Sequence, residues 1–556
     1  MFKKNKNTGQ TNLFDPYHTF PEYVKTALEK SWANYFYHHV FKKINEERFS
    51  VLYSDNYSRP NTPVNILIGL LFLKELNQWT DEELISALFF DYRVQYAMGI
   101  TDFEKERICV NTLSNFRVRL YKYAKDHDKD LLHEEVDALT QELIKTADMD
   151  TSLARQDSMM VSANCKKMGR LEIIYTANKN MIKALAKLDK SLIPESLIHY
   201  QNDKDKNDQI YRIKEEEVNS KLQQLLDETF QIQQAVPENH KDTDEFLTLT
   251  RLIDEQLDNP KEGPVPKENK KISSNSLQNP SEPDATYRNK AGKKNTGYAL
   301  NAVEARDQEK KMSMILHHEL QPNTVSDVEL GGNALDQVNG VEKMACDGAY
   351  YSTDNNKKAE EKGIKTTYSA ISGRKVKDNI LGVNQFDIDP DTRKITSCPA
   401  GVKPISAKYD SEKEVYTAKF PKNICLNCPL LDVCPVNKKQ KKYNVLRFTE
   451  NKLQADKCRS EMNTDTYKML ADFRAGVEGI PSVLRRSYGI DKIPVRGLIR
   501  SRLWSSCKVM MYNFSSFMRY LLREGVSPSF LNYLYFCLAK YFDECRLRFL
   551  SVGVNC

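Results

Sequence analysis

Two aspartates sit in strand-like settings, Asp157 in ARQDSMMVSA and Asp347 in VEKMACDGAYYS, and Glu478 lies far downstream in FRAGVEGIPSVLRRSYG. Asp is a poor strand residue and costly to bury unless paired or metal-bound, so a strand that carries one points to use of the carboxylate. Taken singly, each is an ordinary capping or surface acid. Taken together, three carboxylates from distant parts of a chain can converge on hard divalent cations, and two such ions about 4 Å apart clamp the attacking and leaving oxygens of a phosphodiester. The set points to a metal-dependent phosphodiester enzyme.

The surroundings of Glu478 are cationic. Arg474 precedes it by four residues and Arg485 follows by seven, positions that share one face of a continuous helix and would set cations beside a carboxylate that meets phosphate. Gly476, Gly479 and Pro481 oppose that continuity, so the helix is expected to kink or break after Glu478. From there Arg485, Arg486, Lys492, Arg496, Arg500, Arg502 and Lys508 meet a single acid, Asp491. Such a stripe repels itself unless something negative binds, and the interleaved Tyr488 and Trp504 could pack on sugar or base. A solvated helical face is the alternative. Near the N-terminus, NTLSNFRVRLYKYA places Phe116, Leu120 and Tyr123 on one helical face with Arg117 and Arg119 mostly elsewhere, the pattern of a helix that reads DNA ends or of a plain bundle helix.

Cys398 in SCPAG joins Cys425, Cys428 and Cys434 in ICLNCPLLDVCP. A C-x2-C pair is the usual turn for tetrahedral zinc, and the outer two cysteines would complete a four-thiolate structural Zn2+ site, with Cys458 as a competing ligand. The remaining cysteines are scattered, which argues against a disulfide framework. The paired His317 and His318 would face opposite sides of a strand, so the histidines offer no catalytic cluster.

The elements that position these residues are legible as α/β, mixed α+β overall. At 556 residues the chain exceeds one core. Residues 1–147 read as a helical N-terminal, DNA-end-binding domain: Pro63 opens an apolar helix, and Thr80 with Glu83 forms a capping box. Residues 148–170 begin a mixed sheet with the Asp157 strand, 171–258 are a helical insertion, and 259–295, rich in Pro, Asn, Ser and Lys, read as a flexible linker. The sheet resumes over 296–385 with a hairpin, then strand, helix, strand around Asp347. Residues 386–458 form the small cysteine-rich insertion, 459–525 the end of the catalytic domain, and 526–556 a helical tail. Net charge is only +6, so composition alone does not name a nucleic-acid partner. No apolar leader or membrane-length apolar run occurs, and a cytoplasmic, nucleoid-associated protein is expected.

These segments resemble bacterial insertion-sequence DDE transposases. The similarity is carried by RPNTPVNILIGLLFLKELNQWTDEELISALFFDYRVQYAMGI and NTLSNFRVRL, then DSMMVSAN, DATYRNKAGKKNTGYALNAVEA, ACDGAYYS, the CPAG and CxxCPLxxxC elements, and RAGVEGIPSVLRRSYGIDKIPVRG, in the family's order from about residue 55 to 525. The resemblance implies a ribonuclease-H-like domain whose triad, Asp157, Asp347 and Glu478, binds two Mg2+ (or Mn2+) ions per active site. It also implies cleavage at the transposon's terminal inverted repeats, attack of the freed 3′-hydroxyl on target DNA, and a homodimer on paired ends. Ala471 and Arg485 depart from it, standing where many relatives have Tyr and Lys. A transposase-derived DNA-binding protein without catalysis and a metal-dependent nuclease are the other readings.

Overall fold

The computed structural model describes residues 1–5, 16–54, 60–100, 108–258, 264–290, 292–369, 380–438, 442–462, 464–476 and 479–526. The longer helices of the N-terminal part are α1 (Val64–Asn77), α2 (Asp81–Phe90), α3 (Val110–His127) and α4 (Leu131–Ala147). The capping box at α2 is formed: Glu83 N donates to Thr80 Oγ1 at 3.1 Å, and Thr80 N donates to the Glu83 carboxylate at 2.7 Å. α1 is buried almost all round, as its unbroken apolar sequence requires.

The sheet is a ribonuclease-H-like mixed sheet built from β1 (Leu153–Ser162), β2 (Thr286–Lys290), β3 (Lys293–Asp307), β4 (Met312–Pro322), β5 (Lys343–Cys346) and β6 (Lys365–Tyr368). β3 runs antiparallel to β1, β2 and β4, whereas β5 lies parallel to β1 and β6 parallel to β5. β1 is therefore central, with β3 on one side and β5 on the other. Helical insertion residues form α5 (Arg170–Leu188), α6 (Val218–Ala235) and α7 (Asp244–Gln256), which close around a core of their own. After β4 come α8 (Asp327–Gln337) and, beyond β5, α9 (Thr353–Glu361).

A second small core belongs to the cysteine-rich insertion, where a three-stranded antiparallel sheet of Ser406–Asp410, Val415–Pro421 and Tyr443–Thr449 packs with a short two-stranded ladder. The chain then returns through α10 (Glu450–Glu461), α11 (Asp465–Ala475), α12 (Gly479–Tyr488) and the 26-residue α13 (Leu498–Arg523). α13 packs on α1, α4 and β4, and one continuous core runs from the N-terminal helices through the sheet to α13. The N-terminal helices thus share the core of the sheet.

One expectation is corrected. The stretch read as a flexible linker contains β2, and its described residues are pinned: Leu277 is fully buried, Arg251 donates to the carbonyls of Pro283 and Asn275 at 2.6 and 2.7 Å, and Asn279 Nδ2 donates to the Lys166 carbonyl at 2.9 Å. Low apolar content hid this because hydrogen bonds, which composition does not register, hold the segment. The expected helix break is present: the helix carrying Arg474 ends at Ala475 and a new one starts at Gly479, so Arg474 and Arg485 stand on separate helices. Pro481 falls in the first turn of α12, where its missing N–H costs nothing.

Candidate active site

Parallel pairing of β1 with β5 sets Leu153 opposite Lys343, Ala154 opposite Met344 and Arg155 opposite Ala345. Two residues further on, the same register places Asp157 level with Asp347, which caps the turn after β5. The neighbouring row agrees, since the Cys346 thiol reaches Gln156 Oε1 at 3.7 Å. The two aspartates are 190 positions apart in the chain, and the extended register brings them level, Asp157 within β1 and Asp347 one residue past β5.

Each carboxylate is held. Asp157 Oδ1 accepts from Ser158 N at 2.9 Å, and Asp347 Oδ1 accepts from Gly348 N at 2.6 Å and from Ser369 Oγ at 2.9 Å. Asp347 Oδ2 faces Arg474 Nη2 at 3.6 Å. Burial pushes the Asp157 carboxyl above the ordinary Asp value, and the charge of Asp347 adds to this. The Ser158 amide, Arg474 and Lys290 pull the other way. Arg474 itself is not saturated: its Nε is buried without a hydrogen-bond partner among the described residues. Glu478 lies outside the described residues.

What aims α11 is a buried arginine. Arg155 stands two residues before Asp157 on the same face of β1, its Nε donating to Glu304 Oε2 on β3 at 2.6 Å. Tyr512 of α13 donates to the other oxygen of Glu304 at 2.8 Å. Arg155 Nη1 then donates to the Phe473 carbonyl at 3.0 Å, and its guanidinium lies 5.1 Å from the Phe473 ring. This fixes the last turn of α11, and with it Arg474, against the strand that carries Asp157.

A cleft of about 850 Å³ opens beside Asp157, between the β2–β3 hairpin and α12, and Lys290, Lys293, Lys294, Arg485 and Arg486 line it. Lys290 pairs with Lys293 across a two-residue turn in which Gly292 takes φ +80°, a conformation suited to glycine. The three hairpin lysines are hard to find in the sequence because they fall in a stretch whose composition reads as linker. The run KAGKK is their only signal.

The remaining cations separate into two groups. Arg485, Arg486, Lys492, Arg496 and Arg500 are exposed; Arg496 Nε also donates to the Asn164 carbonyl at 3.1 Å, and Arg500 lies 3.9 Å from the Tyr121 ring centre. Lys508 is instead buried in a 2.6 Å ion pair with Glu75, and Arg502 is tied to the Leu320 carbonyl and Gln321 at 3.0 and 2.8 Å. Arg117 is half-buried in an ion pair with Asp81, while Arg119 is exposed over the Tyr53 ring. Tyr488 and Trp504 are core residues, the former donating to the Met511 carbonyl at 3.1 Å. They do not reach a nucleic-acid surface, because α12 and α13 turn their apolar sides inward.

The carboxylate pair fits a hard divalent cation: its oxygens are the donor type Mg2+ prefers, and a cation between them would relieve the repulsion that helps raise Asp157. The cysteines are less closed. Cys398, Cys425 and Cys434 border the same small core. Burial pushes the Cys434 thiol up, and the other three thiols add to this against the opposing Val436 backbone hydrogen bond. No three of these sulfurs lie within 4.8 Å of one another, a spacing met among the described residues only by His133, Asp137 and His318.

Two family models match the chain, the transposase domain (DUF772) over residues 27–119 and the transposase DDE domain over residues 397–518. Both matches are consistent with an insertion-sequence DDE transposase. The DDE match takes in the cysteine segment, Arg474, the position of Glu478 and the basic stripe, whereas Asp157 and Asp347 fall outside it and rest on the sheet register. No curated protein and no solved structure matches the chain. Among its described residues, no helix is long and apolar enough to cross a membrane.

Proposed function

We propose that this chain is a transposase that cleaves the phosphodiester bond at transposon ends and joins the freed 3′-hydroxyl to target DNA, using Asp157, Asp347 and Glu478 as its carboxylate triad. The observation that carries the reading is the level placement of Asp157 on β1 and Asp347 one residue past the adjacent parallel β5, beside Arg474. Asp157 and Asp347 hold divalent ions, Mg2+ or Mn2+, which when bound polarise the phosphodiester and acidify its attacking water. Glu478, three positions beyond the end of the helix that Arg155 anchors, completes the set. Arg474 and the cations of the cleft neutralise the phosphates that flank the scissile bond.

The substrate is double-stranded DNA, the inverted repeats and then the target, engaged by a dimer that holds paired ends. Cys398, Cys425, Cys428 and Cys434 take one structural zinc ion, whose binding would draw together thiols of which Cys398, Cys425 and Cys434 border the small β-core. The test is incubation of the full chain with the inverted-repeat ends that flank its gene and Mg2+, comparing wild type with Asp347→Ala. Cleavage and joined products from the wild type alone are expected. Equal cleavage by both proteins overturns the triad, cleavage without joining favours a nuclease, and binding without cleavage favours a DNA-binding derivative.

A further inference from the structure

Three donors meet two strands away from Asp157, where α4, β4 and α13 converge. Cross-strand pairing sets Asp157 opposite Ala302 and Ala302 opposite His318, so His318 lies in the same row of the sheet as that aspartate. His133 and Asp137, four apart on α4, share a face and approach to 3.5 Å between Nε2 and Oδ2. The ring of His133 lies 4.5 Å from that of His318, centre to centre. One donor atom from each of the three residues lies within 4.8 Å of the other two.

We infer that His133, Asp137 and His318 form a binding site for a divalent transition metal of the zinc class, separate from both the carboxylate pair and the cysteine cluster. Two imidazoles and one carboxylate are a donor set suited to Zn2+ or Co2+ and ill suited to Mg2+. His318 is buried where β4 meets α4 and α13, its ring beside that of His133. Asp137 is 44% exposed at the opposite rim, which leaves a side open to a water as fourth ligand. His317, the next residue, lies 3.9 Å from Glu319 through Nε2 and is not among the three donors.

The bound metal would brace the last helix of the N-terminal part against the sheet. Ser506 of α13 already joins the cluster, its Oγ 3.0 Å from His318 Nε2 and 3.4 Å from His133 Nδ1. Those hydrogen bonds define the rival arrangement, in which the hydroxyl and the carboxylate link the rings with no ion between them.

Cobalt distinguishes the two arrangements in the full-length protein. Metal-stripped wild type, His133→Gln, His318→Gln and Asp137→Asn are titrated with Co2+ in excess Mg2+, which occupies the carboxylate pair. Imidazole–carboxylate Co2+ gives visible d–d absorption without the intense near-ultraviolet thiolate band of a cysteine site. The wild type is expected to show that visible component, and each histidine variant to lose it along with about one equivalent of metal per chain. Asp137→Asn, a half-exposed change that leaves the packing intact, is expected to bind Co2+ at least about tenfold more weakly and serves where a buried variant does not fold. Identical spectra and affinity in the wild type and Asp137→Asn, or a wild type whose only cobalt signal is thiolate, overturn the site in favour of the hydrogen-bonded trio.

Discussion

Arg155 on β1 donates through Nη1 to the carbonyl of Phe473 at 3.0 Å, joining the strand of Asp157 to the helix turn that carries Arg474. The approach is tight: a Cβ placed on Gly476 would lie 2.7 Å from the same Nη1. Arg155 cannot retreat, because Glu304 holds its other side and Tyr512 holds Glu304. Gly476→Ala is therefore expected to push the end of α11 off the strand. A displacement near 1 Å in an active site costs on the order of 10²-fold, and the measurement is cleavage rate beside a melting curve. A fall in rate with an unchanged melting temperature assigns the residue to positioning, and unchanged kinetics would remove Arg155 from that role.

The carboxylate pair gives a pH-dependent stability test. Burial, reinforced by Asp347, raises Asp157 above its ordinary value, so the folded protein binds more protons than the unfolded one between the ordinary and the raised pKa. Its stabilising contribution is present below the unfolded-state pKa and is lost as pH rises through the folded one. Without divalent metal, Asp157→Asn should melt above wild type at neutral pH, with the gap closing as pH falls through the carboxylate range. Added Mg2+ should raise the melting temperature of wild type more than that of the variant. A variant that melts below wild type at every pH without metal would contradict this account.

The cleft cations act on DNA through phosphate. Lys293, Lys294, Arg485 and Arg486 line it from two separate elements, and removing one cation that neutralises a phosphate lowers the slope of log affinity against log salt by about 1. Replacing Arg485 and Arg486 with Gln should reduce that slope by about 2 and weaken binding to unrelated duplexes as much as to the inverted repeats. Weakening confined to the specific ends would mean base reading instead.

Much of the architecture is legible in the sequence because it depends on local signals: the Thr80–Glu83 capping box, the apolar α1, and the alternation around β5 each follow from adjacent residues. The pairing of Asp157 with Asp347 is reachable only as a consequence of strand order. Long-range polar structure is not reachable at all. Arg155 reads as a surface cation in a strand until Glu304 and Tyr512 arrive from distant segments. His133 and His318, 185 positions apart, show no spacing that marks them as partners. Charge runs mislead for a related reason, since a helix with cations on one side and core on the other presents both to a linear reading.

Lys508 tests that last point. It stands in the basic stripe yet is buried against Glu75 at 2.6 Å, with side-chain exposures of 5% and 10%, and its ammonium lies 5.1 Å from the Trp504 ring centre. The pair fastens α13 to α1, both part of the shared core. Removing one partner of such a pair leaves the other buried and uncompensated, at about 3–5 kcal/mol. Lys508→Met is expected to destabilise the fold by that amount in denaturant unfolding while leaving the salt slope of DNA binding unchanged. Glu75→Gln together with Lys508→Met should recover much of the stability, because no unpaired charge then remains in the core. A changed salt slope with wild-type stability would return Lys508 to the DNA-facing stripe and overturn its role as a core tie.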